Sequence, residues 1–319
     1  MTGTVLVTGT AGFIGSHLAG RLIHLGYHVV GIDNFDDYYS PEIKRANVRA
    51  LAETDAFECI EGDIRDESLL ARVFSEHDVV TVMHLAARAG VRPSMRQPSL
   101  YQDVNVGGTV NLLEASCRSG VSKFVFASSS SVYGLNVKAP FREAETGHPI
   151  SPYAASKAAA ELFCLAYNHL YSLPILALRL FTVYGPGQRP EMAVHRFVRK
   201  VQQGDEVILF GDGTAKRDYT YIDDIIDGFE MALAYGDKAY DVFNLGRGNA
   251  VDLRYLLSLI EKALNKKARM RSLALQPGEV PLTLADISKA RNVLGYKPKV
   301  SVEQGIPEFV RWYLENGRS

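Results

Sequence analysis

A glycine-rich turn near the start of the sequence constrains the fold of this chain more than any other feature. A short apolar, β-branched run at residues 4–8 leads into the sequence TGTAGFIG, and residues 12–25 follow with the apolar spacing of a helix. Glycines at such a junction let the backbone turn tightly and let a phosphate group approach the amino end of the helix. The turn therefore predicts the first strand and helix of a nucleotide-binding βαβ unit.

The first half of the chain continues this alternation of strand and helix signals. Predicted strands lie at 27–32, 57–60, 79–85, 123–127 and 175–180, with helices between them, notably near 98–118 and 152–171. Because these strands are apolar on both faces and each precedes a helix, they predict a parallel sheet covered on both sides. The expected fold class is α/β, with a Rossmann-type doubly wound parallel sheet.

The second half is less regular. It has a Gly/Pro-rich loop at 185–189, predicted helices at 190–203, 222–234, 252–263 and 302–315, and predicted strands at 207–210 and 242–244. We find no repeat and no flexible linker that would separate two halves. We therefore expect a smaller, interleaved C-terminal substrate-binding α/β domain that meets the first domain across a cleft.

Composition excludes several classes of partner. The net charge is −1, from 35 basic and 36 acidic residues, which gives no electrostatic reason to expect nucleic acid or an acidic membrane surface. The apolar runs are shorter than a membrane span, and the start lacks the features of a secretory signal. Cys59, Cys117 and Cys164 form no pair motif, so we predict no metal or redox site and a cytoplasmic location.

An acidic residue indicates which dinucleotide would bind. Asp33 ends the second predicted strand, 18 positions after Gly15. A carboxylate there accepts hydrogen bonds from an adenosine ribose and repels a 2′-phosphate, which favours NAD over NADP. Further residues at carboxyl ends of predicted strands, where ligands bind in such sheets, are Asp63, Ile64, Leu85, Ala86 and Ala87. His84, beside them, is better explained as a packed strand residue than as a ligand or base.

A tyrosine and a lysine provide a candidate for acid–base chemistry. Tyr153 and Lys157 are four residues apart in a predicted helix and so share one face. A neighbouring ammonium and a positive nicotinamide ring would lower the pKa of the phenol, which could then act as a general base. Four serines, 128–131, follow the fifth predicted strand, and their hydroxyls could orient a reacting oxygen. Such serines also form ordinary turns.

By these motifs the chain resembles the extended short-chain dehydrogenase/reductase family nearly end to end. The likeness is carried by TGTAGFIG, DNFDDYY at 33–39, HLAARAGVR at 84–92, ASSSSVYG at 127–134, SPYAASK at 151–157, RLFTVYGPGQRPEM at 179–192, FGDGTAKRDYTYIDD at 210–224 and QPGEVPLTLADISKA at 276–290. Within the family the chain is most similar to the UDP-glucuronate 4-epimerase group, through DNFDDYY, YGLN at 133–136 and FTVYGP at 181–186.

The resemblance implies a role for each matching residue. For NAD, it places Gly9, Gly12, Phe13, Ile14 and Gly15 at the pyrophosphate, Asp33 at the adenosine ribose, Asp63 and Ile64 beside adenine, and Asn105 along the cofactor pocket. The other cofactor-binding residues that it implies are Asn34, Leu85, Ala86 and Ala87. For catalysis, it makes Tyr153 the base, Lys157 its support and a ligand of the nicotinamide ribose, and Ser129 the partner of the sugar 4-hydroxyl. For the substrate, it adds Ser130 and Ser131, Thr182 and Arg189 at the hexose, Arg217 at the diphosphate and Glu279 at the uridine ribose.

The resemblance also implies the reaction, which is NAD-dependent C4 epimerisation of a UDP-hexose through a 4-keto intermediate. UDP-glucuronate to UDP-galacturonate is the expected conversion, and the Arg189 guanidinium could bond both oxygens of the sugar carboxylate. Arg189 could instead be a surface or loop-anchoring residue. The serine segment lacks the acidic residues that related dehydratases carry, and Thr283 is small enough to admit N-acetylated sugars.

Several alternatives stay open at this point. The enzyme could act on UDP-glucose or UDP-N-acetylglucosamine, it could decarboxylate UDP-glucuronate, or the chain could be a non-catalytic NAD-binding scaffold protein. We expect residues 1–181 and 217–247 to form the NAD-binding domain, and residues 182–216 and 248–319 to form the nucleotide-sugar-binding domain. The resemblance further implies a homodimer formed through the helices near 98–118 and 152–171, with Leu112, Leu113, Leu162, Phe163 and Tyr167 as candidate contacts unless they pack on the sheet.

Overall fold

A computed structural model describes residues 3–135, 138–145, 147–236, 239–274 and 280–316. The helices in these ranges are α1 Phe13–His24, α2 Pro41–Arg49, α3 Glu67–Glu76, α4 Val91–Arg96, α5 Pro98–Gln102, α6 Gly108–Arg118, α7 Pro152–Tyr171, α8 Ala193–Gln203, α9 Ile222–Ala234, α10 Leu253–Leu264 and α11 Val302–Asn316. The strands are β1 Thr4–Thr8, β2 His28–Asp33, β3 Phe57–Glu61, β4 Val79–His84, β5 Lys123–Ser129, β6 Ile175–Leu180, β7 Thr182–Tyr184, β8 Glu206–Phe210, β9 Lys216–Tyr221, β10 Asp241–Leu245, β11 Ala250–Asp252 and β12 Arg269–Leu273.

The central sheet confirms the predicted fold class. Among the described residues it has seven strands in the order β10-β6-β5-β4-β1-β2-β3. The pairings of β1 with β2, β2 with β3, β1 with β4 and β4 with β5 are parallel. The strand order reverses at β1, whose neighbours are β2 on one side and β4 on the other. In doubly wound sheets, ligands bind outside the carboxyl ends of the strands at this reversal.

The strands are apolar because the sheet is covered on both faces. Val5, Leu6 and Val7 are consecutive in β1, so their side chains alternate between the two faces, and all three have no exposed surface. Leu6 belongs to a buried cluster with Val82 of β4 and Phe124 of β5. Burying a side chain of this size stabilises the fold by about 1.5–3 kcal/mol. The sheet core therefore fixes the strand ends on which the candidate site is built.

The chain divides by its contacts into two compact units, each made of several segments. The first comprises the described residues within 1–136, 146–179 and 226–243, and the second those within 137–145, 180–225 and 244–319. The second unit contains a three-stranded sheet of order β11-β9-β7 and a two-stranded sheet of β12 and β8. Assignment of NAD to one unit and of the nucleotide sugar to the other stays a prediction.

Two helical predictions differ in detail from the structure. The helix expected over 190–203 begins at Ala193, because residues 189–192 form a turn in which the amide of Met192 donates to the carbonyl of Arg189 at 3.1 Å. The helix expected over 98–118 is divided into α5 and α6 by a π-helical turn at Asp103–Gly107. No helix in the described ranges has the length and apolar character needed to cross a membrane.

Candidate active site

The glycine-rich turn between β1 and α1 packs closely against the neighbouring backbone. Gly9 has a φ of +70°, and a Cβ there would lie 2.8 Å from the backbone nitrogen of Ala86. A Cβ on Gly15 would lie 2.1 Å from the carbonyl oxygen of Gly9. Gly12 precedes α1 without a side-chain cap, which leaves the first-turn amides of the helix for an anion. The amino end of α1, where Phe13 and Ile14 supply the first amides, therefore fits the pyrophosphate of a dinucleotide.

Asp33 has a structural role that the sequence analysis did not foresee. Its carboxylate is buried at the end of β2 and accepts the backbone amides of Ala11 at 3.1 Å and Phe35 at 2.9 Å. Burial raises its pKa, and the hydrogen bond from Phe35 opposes that rise. Asp33 thus holds the glycine-rich turn in place, besides its predicted contact with a ribose.

The ends of β2 and β3 bring three of the predicted cofactor residues to one edge of the sheet. The amide group of Asn34 donates to Asp63 at 3.0 Å. The guanidinium of Arg65 also bonds the Asp63 carboxylate and holds its pKa low, at about 2. Ile64 is buried, and a Cβ on Gly108 would lie 2.4 Å from its Cδ1 atom, so Gly108 lets the start of α6 approach this turn.

The segment after β4 is hydrogen-bonded to the end of β1. The amide of Leu85 donates to the carbonyl of Thr8 at 3.1 Å, and the amide of Ala86 donates to the Thr8 hydroxyl at 3.2 Å. Ala87 continues this segment with its side chain half-buried. His84 is buried between the hydroxyls of Thr8 and Thr109, at 2.7 and 2.9 Å, and burial lowers its pKa well below the ordinary value. This environment confirms His84 as a packed residue.

Asn105 joins this segment to the start of α7. It lies buried in the π-helical turn and accepts the backbone amide of Arg88 at 2.7 Å. Its side-chain amide donates to the carbonyl of Arg88 and to the hydroxyl of Ser156, both at 2.9 Å. The Ser156 hydroxyl in turn donates to the carbonyl of Tyr153 at 2.9 Å. Asn105 therefore positions α7, the helix that carries the candidate base. The sequence analysis placed Asn105 along the cofactor pocket and did not predict this role.

Tyr153 and Lys157 lie one helical turn apart near the start of α7. Ser151 caps this helix by accepting the amide of Ala154 at 3.1 Å. The Lys157 side chain is buried, and its ammonium donates to the carbonyl of Ala127 in β5 at 2.8 Å. Burial lowers the pKa of Lys157 to about 8. Its charge is therefore fixed at the end of β5, and its Cα lies one helical turn from that of Tyr153.

The four serines occupy two kinds of position. Ser128 and Ser129 end β5, and Ser130 and Ser131 open a short 3-10 turn. The Ser129 hydroxyl oxygen accepts the amide of Ser131 at 3.2 Å and its hydroxyl at 2.9 Å. The turn-forming interpretation is thus correct for Ser129, and it leaves the Ser129 hydroxyl hydrogen to bond a ligand.

A buried carboxylate next to this segment escaped the sequence analysis. Glu161, one turn beyond Lys157 on α7, accepts a hydrogen bond from the Ser128 hydroxyl. Its signal in the sequence was a single acidic residue in the apolar stretch AAAELFCLAY, at the spacing that continues the face of Tyr153 and Lys157.

The other predicted substrate residues in the described ranges belong to the second unit. Thr182 begins β7 and pairs with Tyr219 of β9. The guanidinium of Arg189 lies 3.2 Å from the carboxylate of Glu191. Arg217 is in β9 and donates to the carbonyl of Lys216 at 2.8 Å. Glu279 lies outside the described residues.

Comparison with protein-family models matches residues 6–309 to the family described as GDP-mannose 4,6 dehydratase. The chain belongs to this family of extended short-chain dehydrogenases/reductases. UDP-glucuronate 4-epimerase 4 of Arabidopsis thaliana is 45% identical in an alignment of 330 residues, gaps included, that covers 98% of this chain and 75% of that relative. The family model takes its name from a dehydratase, but this relative is named as an epimerase.

Two solved structures share the fold over their whole length. UDP-glucuronic acid 4-epimerase from Bacillus cereus, in complex with UDP-glucuronic acid and NAD, has a TM-score of 0.93 at 39% identity, over 98% of this chain and 99% of that one. UDP-glucose 4-epimerase from Thermotoga maritima, with UDP-glucose, has a TM-score of 0.91 at 36% identity, over 99% of this chain and 100% of that one.

Proposed function

We propose that the chain is a UDP-sugar 4-epimerase that uses NAD and converts UDP-glucuronate to UDP-galacturonate. The observation that carries the proposal is the start of α7, where Tyr153 precedes by one turn a lysine buried against the serine-bearing end of β5. That arrangement occurs in a chain 39% identical, end to end, to an epimerase crystallised with UDP-glucuronic acid and NAD.

The first unit supplies residues that fit NAD. Gly9, Gly12 and Gly15 would cradle the pyrophosphate, and Asp33 would accept hydrogen bonds from the adenosine ribose. NAD held by these residues would supply the hydride acceptor and donor for C4 of the sugar, so that the hydrogen could return to the opposite face. The reaction has no net oxidation, so the cofactor is expected to stay with the protein through turnover.

The side chains of the first unit handle the proton. Tyr153 accepts the proton of the sugar 4-hydroxyl as general base and returns it after the sugar has turned. Lys157 holds a positive charge that favours the phenolate, and its hydrogen bond to Ala127 fixes where that charge lies. Ser129 donates to the reacting oxygen of the sugar. None of residues 128–131 is acidic, so this segment offers no acid or base for the dehydration after which the family model is named.

Arg189 supports a uronate as substrate. Its Nε atom lies 3.2 Å from one carboxylate oxygen of Glu191, and a sugar carboxylate that displaced Glu191 would offer the guanidinium two oxygens at once. A second candidate function, UDP-glucose 4-epimerisation, is favoured by the likeness to the Thermotoga maritima enzyme. Two alternatives are weaker. Decarboxylation of UDP-glucuronate requires the sugar carboxylate to leave as CO2. A non-catalytic scaffold protein has no use for Tyr153 and Lys157.

A panel of UDP-sugars read by proton NMR tests the proposal. Wild type should give UDP-galacturonate from UDP-glucuronate, with a lower kcat/KM on UDP-glucose and UDP-N-acetylglucosamine. Arg189→Ala should lose about tenfold or more on UDP-glucuronate, the equivalent of one charge-assisted hydrogen bond of about 1.5 kcal/mol, and much less on UDP-glucose. Glu191→Gln, which removes the internal carboxylate but keeps Arg189, is the matched control. A wild-type preference for UDP-glucose would replace the uronate proposal with the neutral-sugar one.

Assembly, location and domain roles complete the proposal. We infer a cytoplasmic homodimer in which the first unit binds NAD and the second binds the UDP-sugar. Leu162 and Phe163 on α7 support a subunit contact, because 68% and 40% of their surfaces are exposed. Leu112 and Leu113 have no exposed surface and Tyr167 has 9%, so these three pack within the chain and are not dimer contacts.

A further inference from the structure

A buried ion pair lies next to the serine-bearing end of β5. Glu161 of α7 and Arg179 of β6 approach at 3.0 Å (Nε to Oε1) and 2.7 Å (Nη2 to Oε2), which is the two-pronged arrangement of a guanidinium on a carboxylate. Their side chains are only 8% and 11% exposed. Removing two charges from water is costly, so such a pair is weak evidence for stability alone.

The pair contacts the serine segment on both sides of Ser129. Glu161 accepts the hydroxyl of Ser128, the residue immediately before Ser129. The guanidinium of Arg179 lies 4.7 Å from the ring centre of Tyr133, the last residue of the short turn that follows Ser129. The two charged groups therefore hold the chain before and after the serine predicted to bond the sugar.

The same helix face connects this pair to the candidate base. Glu161 follows Lys157 by four residues and Tyr153 by eight, so the three side chains lie along one face of α7. Lys157 donates to the carbonyl of Ala127 and Glu161 accepts from Ser128, so α7 contacts two consecutive residues of β5. Any shift of the strand end against α7 would change the separation of Ser129 and Tyr153.

We propose that Glu161 and Arg179 are positioning residues that fix Ser129 relative to Tyr153 for proton transfer at the sugar 4-hydroxyl. The inference rests on the proposed epimerase function and adds to it two residues that do not touch the substrate. A displacement of about 1 Å in a reacting group can lower a rate by about 100-fold. The ion pair thus acts on the chemical step, through Ser128 and Tyr133, and not on cofactor or sugar binding.

The test is the kinetics of Glu161→Gln and Ser128→Ala, alone and combined. The change of Glu161 to glutamine keeps the size of the side chain, but it removes the charge and one of the two acceptor oxygens that Ser128 and Arg179 share. We expect kcat to fall about tenfold or more, with KM for UDP-glucuronate and the amount of retained NAD within about twofold of wild type. If Glu161 acts through Ser128, the double variant should be no slower than the slower single variant.

Arg21→Gln is the matched control. Arg21 forms an ion pair with Asp227 and Glu230 in the same unit, at 2.9 and 2.6 Å, and lies in the last turn of α1. Its replacement should lower the melting temperature without changing kcat. Arg179→Lys keeps the charge but loses the two-pronged contact with Glu161. It provides the same comparison of kcat and KM if Glu161→Gln does not fold.

Two results would overturn the positioning role: an unchanged kcat in Glu161→Gln and Arg179→Lys, or losses in kcat that multiply in the double variant. Both are measured relative to wild type. A wild type that epimerises no UDP-sugar would instead remove the proposed function itself, so the two failures are distinguishable.

Discussion

At the scale of single residues, the proposed reaction depends on Tyr153 as the general base. Replacing it with Phe removes only the oxygen that accepts the proton and keeps the ring that packs edge-on against Tyr101, with 6.2 Å between ring centres. Activity should fall by about 10²–10⁴-fold, the usual contribution of a general base, while fold and retained NAD persist. Tyr101→Phe, which removes a hydroxyl bonded to the carbonyl of Ala89, is the control and should stay within about threefold. An active Tyr153→Phe protein would place the base elsewhere.

Asp33 is a second residue whose role can be isolated. Asp33→Asn should weaken the affinity for NAD about 10- to 100-fold, because charge-assisted hydrogen bonds to the ribose contribute about 1.5–3 kcal/mol. The purified variant should therefore retain less NAD than wild type. Asp66 offers a close comparison, since its carboxylate also accepts two backbone amides, those of Ser68 at 2.9 Å and Leu69 at 3.0 Å. Asp66→Asn should lower stability but leave NAD binding intact. Equal NAD loss in both variants would reduce Asp33 to a structural role.

At the scale of elements, the packing of α8 on α11 contains a titratable group. His195 of α8 is buried among the rings of Phe309, Trp312 and Tyr313, with ring centres 5.8, 6.1 and 5.3 Å away, and its Nδ1 atom has no hydrogen-bond partner in the described part of the chain. Burial, with a smaller contribution from Arg199, lowers its pKa from 6.5 to about 4. The folded state therefore favours neutral histidine.

The sign of the pH effect follows from that shift. The contribution of His195 to stability is complete above pH 6.5 and is lost as the pH falls towards 4, by about 3 kcal/mol in all. Urea unfolding of wild type and His195→Phe at about pH 7 and about pH 4.5 should show a smaller acid loss in the variant, which keeps the aromatic packing without the titration. The same acid loss in both proteins would contradict this account.

The elements also show what the sequence could reveal. The bounds of β1, β6, α7 and α9 coincide with the predicted ranges, because long apolar runs and helical periodicity are local signals. Strands β7 and β11, of three residues each, were missed because they depend on pairing with β9, a partner distant in sequence. Glu161 was missed for the same kind of reason, since its partner Arg179 is 18 residues away and the contact exists only after folding.

At the scale of the whole molecule, the exposed side of α7 predicts a dimer. Leu162, Leu165, Leu170 and Tyr171 are 68%, 47%, 66% and 56% exposed, a density of large apolar groups that a lone helix surface rarely shows to water. A contact about a two-fold axis would bury each of these side chains in both subunits, and each burial would stabilise the dimer by about 1.5–3 kcal/mol. Light scattering at micromolar concentration should therefore give twice the 35.1 kDa chain mass.

Leu162→Glu should give monomers, because each dimer would bury two unpaired charges at the subunit contact. Met270→Glu, at a residue of β12 that is 59% exposed, should leave the dimer unchanged. A wild type that stays monomeric, or a Leu162→Glu protein that stays dimeric, would show that this face of α7 is not the subunit contact.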